Sequence, residues 1–125
     1  MKAIFLLCAL SFAFVSCDPG IWGTVAVHNT TSDTLRVGYH SSRHSNLGWI
    51  DTVVCYPDST RLLFTFMRIG IVRYFRLTDE LDSIVITNTK RTRTYASSLN
   101  DSNWTVKKDY DWTGGGTADY VYEVK

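Results

Sequence analysis

Histidines, cysteines, clustered aspartates and one aromatic loop are the groups in this chain with chemistry to offer. A bound metal needs two or three donors brought together, and His28, His40 and His44 are the nitrogens available. His40 and His44 would share a face on a helix, but residues 41–45 read as loop, so these are surface histidines and no metal site is expected. No Gly-x-Ser-x-Gly elbow exposes a serine, and Cys55 sits between Val53, Val54 and Tyr56, with no acid or base adjacent to favour a thiolate. Asp109, Asp111 and Asp119 could serve a glycosidic bond in pairs, yet nothing in their spacing makes two of them converge. The chain is accordingly expected to be no enzyme and to need no cofactor. Its one constellation suited to binding is Tyr110-Asp111-Trp112, which runs into Gly114-Gly115-Gly116. Aromatic faces beside a carboxylate suit a sugar or a partner surface, and glycines let the loop fold closely. The alternation of Trp104, Tyr110, Tyr120 and Tyr122 instead suits a hairpin packing aromatics inward, which leaves Trp112 exposed and Trp104 in the core.

The elements that must position these groups read as strands. Short runs rich in Val, Ile, Thr and aromatics fall near 22–28, 33–39, 49–55, 60–67, 71–77, 83–88, 91–96, 104–110 and 119–124. Leu35, Val37 and Tyr39 alternate with polar or small residues; so do Leu62, Phe64 and Phe66, and Trp104, Val106 and Tyr110. Turn chemistry separates the runs at Asn29 to Asp33, Tyr56-Pro57-Asp58-Ser59, Thr78-Asp79-Glu80 and Thr113 to Thr117. Only 97–101 suggests a helical turn. Short strands without crossover helices predict an all-β fold, a single antiparallel β-sandwich of immunoglobulin or transthyretin style, with a small barrel as the alternative.

Ahead of this domain lies a leader. Lys2 precedes an apolar run from Ala3 to Val15, too short for the roughly 18 to 20 residues of a spanning helix and fitting a secretory signal. Phe14-Val15-Ser16-Cys17 resembles a bacterial lipobox, with Phe14 where Leu is commonest. That resemblance implies cleavage before Cys17 and acylation of its thiol. With each buried methylene contributing about 0.8 kcal/mol, two or three acyl chains hold a protein stably on a bilayer. The expected organisation is a signal peptide over 1–16, an anchor and short linker over 17–21, and a β-sandwich over 22–125. Asp18-Pro19-Gly20 is too short to be a flexible tether and keeps the domain near its anchor.

Composition agrees with one small exported domain. Of 13 Lys and Arg, Lys2 leaves with the leader, so 12 cations face 12 Asp and Glu and the mature chain is formally neutral, which argues against nucleic acid. Lys90-Arg91-Thr92-Arg93 and Lys107-Lys108 read as solvated strand faces. With Cys8 removed and Cys17 acylated, Cys55 has no partner for a disulfide and reads as a small buried hydrophobe.

Taken whole, the chain resembles the small β-sandwich outer-membrane lipoproteins of Bacteroidota. The likeness rests on the short signal and Cys17, the Asn29-Thr30-Thr31-Ser32-Asp33 turn, the Asp82-Ser83-Ile84-Val85-Ile86-Thr87 strand, Asn103-Trp104-Thr105-Val106 and the closing Tyr120-Val121-Tyr122-Glu123-Val124. It implies a lipid-anchored protein of the cell envelope, held on the outer membrane, and carries no active site. In that group O-glycosylation targets Asp-Ser/Thr followed by an apolar residue or Thr. Thr34, Thr52, Ser59 and Ser83 match, although the same triplets are also how a turn enters a strand. The functional expectation is a non-enzymatic binding or scaffolding lipoprotein. The alternatives are a glycan-capture module, with Trp112, Asp111 and Tyr110 as contacts, and a small periplasmic hydrolase or an inhibitor of one.

Overall fold

Alternating side chains become eight strands in a computed structural model that describes residues 18–44, 50–96, 99 and 101–125. Residues 1–17, on which the expected signal peptide and Cys17 fall, lie outside the described residues. The strands are β1 (Gly20–Asn29), β2 (Leu35–His40), β3 (Ile50–Cys55), β4 (Ser59–Ile69), β5 (Ser83–Asn88), β6 (Thr94–Ala96), β7 (Trp104–Tyr110) and β8 (Gly116–Val124). They form two four-stranded sheets, ordered β4-β1-β8-β7 and β3-β2-β5-β6. Burying the inner faces of both sheets against each other gives the all-β sandwich that the alternation calls for. Val25, Val27, Leu35, Val37, Ile84 and Ile86 are fully buried at its centre. Among the described residues no helix is long and apolar enough to cross a membrane.

One pairing is not antiparallel. β1 and β8, the first and last strands, lie side by side in parallel at the middle of their sheet, with Val25 opposite Tyr120 and Val27 opposite Tyr122. A parallel pair needs a long crossover, and here the chain between the two strands, the second sheet included, provides it. Side-chain alternation is blind to strand direction, so this feature had no local signal.

Two further departures have physical causes. The run 71–77, expected as a strand, is a pair of 3-10 turns, Val72–Tyr74 and Leu77–Asp79. Gly70, at φ +152°, ends β4, and the buried residues then fall at Val72, Phe75 and Leu77, a spacing of three and then two. This segment carries the chain from one sheet to the other across the end of the sandwich. In β4 the expected inward Leu62 is exposed, because a bulge inserts Leu63 between the pairs Val25–Phe64 and Ala26–Leu62 and flips the phase. Leu63 turns inward instead, and its carbonyl accepts the Tyr39 hydroxyl at 3.0 Å. The single helical turn anticipated at 97–101 lies largely outside the described residues; a 3-10 turn follows at Asp101–Asn103.

The sandwich has two chemically different ends. At the distal end the turns after β1, β3 and β5 are polar, and the buried Asn29 ties the first two together: its amide nitrogen donates to the carbonyls of Asp33 (2.8 Å) and Cys55 (3.2 Å), while its oxygen accepts from Thr31. At the proximal end, where β1 begins, Gly20 pairs with Ile69 and Ile21 with Gly116.

Candidate functional site

The proximal end is built from three segments locked together through main-chain groups. Gly70 donates its N–H to Pro19 O at 2.8 Å, and Val72 donates to Gly114 O at 2.9 Å. The residues immediately after Cys17, the 69–74 stretch and the β7–β8 loop therefore make one surface.

Within that loop Asp111 acts on its own backbone. Its Oδ1 accepts the Thr113 N–H at 2.8 Å and the Thr113 hydroxyl at 2.5 Å, and these bonds hold its carboxyl below the usual aspartate range. Gly114 N–H returns to Asp111 O, and Asp111 N–H to Gly115 O. The glycines are required here. A Cβ on Gly116, at φ +136°, would lie 2.0 Å from Asp109 O, and one on Gly115 would lie 2.5 Å from Gly20 O. Folded down this tightly, the loop presents Trp112 with 95% of its surface exposed.

Other large apolar side chains stand exposed around it. Ile69 is 77% and Tyr74 69% exposed, and Ile71 and Tyr110 are also open to solvent. A shallow hollow of about 230 Å³ lies among Ile69, Ile71, Tyr74 and Arg43. Behind it, Arg68 forms a two-pronged pair with the buried Glu80 carboxylate, Nη2 to Oε2 at 2.9 Å, and the Ser41 hydroxyl donates to Glu80 O. The apolar rim thus stands on a rigid polar base.

A second locus lies on the outer face of the β4-β1-β8-β7 sheet. There Trp22 and Met67, cross-strand partners, flank a hollow of about 580 Å³ that Thr24, Thr65, Thr117 and Asp119 also line. The Thr24 hydroxyl donates to Asp119 Oδ1 at 2.7 Å.

The sequence-derived residues are placed as follows. Tyr110, Asp111 and Trp112 are together on the proximal surface. Trp104 is buried against Tyr122, ring centroids 5.1 Å apart. Val106 and Tyr110, which alternation with Trp104 would turn inward, are both exposed on β7, an edge strand. His28 Nδ1 lies 2.9 Å from Thr60 Oγ1, and His40 Nδ1 lies 3.1 Å from Asp82 Oδ2, at opposite ends. The side chain of His44 lies outside the described set. Among the described residues no three metal-ligating side chains come together. Cys55 is buried, with Sγ 3.4 Å from Ser59 O.

Of the four glycosylation-like residues, Thr34 and Ser59 are half-buried at the distal end, and the Ser59 hydroxyl donates to Tyr56 O at 2.7 Å. Ser83 opens β5 opposite His40 at the proximal end. Thr52 falls in β3, its side chain outside the described residues. The residues that sequence reading missed are Ile69, Ile71 and Tyr74. Their signal is present in hindsight: Met67, Ile69 and Ile71 are apolar on the parity opposite to the core-facing Phe66. Neither a known protein family nor a curated protein sequence matches the chain.

Proposed function

We propose that this protein is a lipid-anchored component of a bacterial cell envelope, acylated at Cys17, whose rigid β-sandwich serves a non-enzymatic binding or scaffolding role. The supporting observation is positional. Asp18 and Pro19, directly after Cys17, enter at the end of the sandwich that carries most of the exposed large aromatic and aliphatic side chains among the described residues, and Pro19 is fastened there by Gly70. The apolar run 3–15 and the lipobox-like Phe14-Val15-Ser16-Cys17 supply the export and acylation signals. Such an anchor predicts partition of the wild-type protein into the detergent phase of a membrane extract. Cys17→Ala should accumulate as uncleaved precursor without fatty-acid label. Equal processing of the two, with soluble product, would contradict the reading.

A glycan-capture role is the second reading, and the outer-face hollow favours it more than the loop does. Trp22 offers an exposed flat ring beside the hydroxyls of Thr24, Thr65 and Thr117, whereas Asp111 spends its Oδ1 on Thr113. A glycan array that responds to the wild type and loses its signal in Trp22→Ala supports this role. A blank array removes it.

A further inference from the structure

The exposed apolar side chains of this molecule are unevenly distributed, and their distribution has a direction. Ile69, Ile71, Tyr74, Tyr110 and Trp112 all project from the proximal end, and the Trp22–Met67 pair lies one register step above it on the outer face. Away from that end Tyr56, Leu62 and Val106 are the exposed large apolar residues, and the distal turns are polar, with Ser32, Asp58, Lys90 and Arg91 among their exposed side chains. The sandwich is thus amphipathic along its long axis. Its apolar end is the end at which the chain arrives from Cys17, one residue before the first described position.

Trp and Tyr favour the membrane–water interface because the ring is apolar while its N–H or O–H stays wet, and aliphatic neighbours reach the acyl boundary. Two exposed arginines stand in the same region: Arg73, whose guanidinium lies 5.9 Å from the Tyr74 ring centroid, and Arg43 beside the hollow. Headgroup phosphates are their natural partners. Of the exposed carboxylates at this end, Asp111 is turned back onto Thr113 and Asp79 onto the Arg76 N–H at 2.9 Å, Asp109 is paired with Lys107 at 3.5 Å, and Asp18 stands exposed next to Cys17. A linker of only Asp18 and Pro19 leaves no room for this end to stand clear of an acylated Cys17.

We propose that the proximal end is a bilayer-docking surface. Trp112, Ile69 and Tyr74 seat at the lipid interface, fix the sandwich upright on its anchor and turn the distal turns outward. The proposal rests on acylation of Cys17 for its setting, but the surface itself is tested separately. The mature protein is purified from membranes, its acyl mass is checked, and it is reconstituted into vesicles of phosphatidylethanolamine and phosphatidylglycerol whose acyl chains carry bromine near the glycerol end. Brominated vesicles should quench wild-type tryptophan emission at least twofold more than they quench the Trp112→Phe variant, and Ile69→Glu with Tyr74→Glu, which keeps Trp112 as reporter, should reduce the wild-type quenching to the level of Trp112→Phe. Circular dichroism confirms that each variant is folded. Equal quenching of wild type and Trp112→Phe, in protein that carries its acyl chains, would overturn docking and leave the anchor standing. If the protein proves unacylated, the anchor reading fails, and the full chain titrated with excess vesicles decides docking alone. Quenching specific to Trp112 supports it, and none rejects it.

Discussion

Trp104 offers a prediction with two arms of opposite size. The side chain is 9% exposed, stacks edge-on against Tyr122, and sits where β7 begins. Among the described residues no acceptor reaches its indole N–H, which is sealed from solvent. Trp104→Ala removes the ring and should cost about 3 to 5 kcal/mol, toward the lower figure because the unpaired N–H goes too. Trp104→Phe keeps a ring against Tyr122. It sacrifices roughly 1 to 2 kcal/mol of buried apolar contact, and it relieves the about 1 to 3 kcal/mol that a buried unpaired donor costs. The two terms nearly cancel, so Trp104→Phe should lie within about 1 kcal/mol of wild type. Urea unfolding of the chain from Asp18 onward, followed by circular dichroism at constant m, measures both. A Trp104→Phe cost as large as that of Trp104→Ala would refute the reasoning, because it would mean that the N–H contributes to stability.

Gly23→Ala should destabilise by about 1 to 3 kcal/mol, since a Cβ there would meet Phe66 Cζ at 2.1 Å and Ala118 O at 2.2 Å in a central strand; thermal melting checks it. Tyr120 is held neutral by burial, with Asp79 and Tyr110 adding to the effect, and its pKa is pushed up to about 12. Its share of stability is therefore complete below the ordinary tyrosine value of about 10 and is lost as pH rises toward 12. Tyr120→Phe should flatten the stability curve across that window; an unchanged alkaline slope would contradict it. Cys55 is 1% exposed, so a thiol reagent should modify it only as fast as the domain opens, and denaturant should accelerate the reaction. Rapid native-state modification would show a more open strand.

What was legible in the sequence follows from what periodicity encodes. β7 coincides with the run 104–110 and β5 with 83–88, because in each a period of two is bounded by turn residues. Trp104 and Trp112 went to the core and the surface for the same reason: one lies in phase with a strand and the other in a loop. The failures cluster where one residue changes the phase. Leu63 inserts a bulge and turns Leu62 outward, and Gly70 stops a strand that alternation would continue. The parallel contact of β1 with β8 depends on the whole intervening chain, which no window of residues reports. At the proximal surface Tyr110, Asp111 and Trp112 were visible as a cluster. Ile69, Ile71 and Tyr74 join them only through the long-range bonds Gly70 to Pro19 and Val72 to Gly114. What the sequence did not announce is that Thr113, two residues on, donates twice to Asp111 Oδ1 and ties that oxygen into the loop.

Anchoring at Cys17 beside an apolar end is the centre of this account, and mass spectrometry of the mature amino-terminal peptide tests it most directly. The account predicts that membranes yield a peptide beginning at Cys17 whose mass includes a diacylglyceryl thioether, with an amide-linked acyl chain on the new amine. An amino terminus at another residue, or a Cys17 peptide recovered with a free thiol from the soluble fraction, would contradict it.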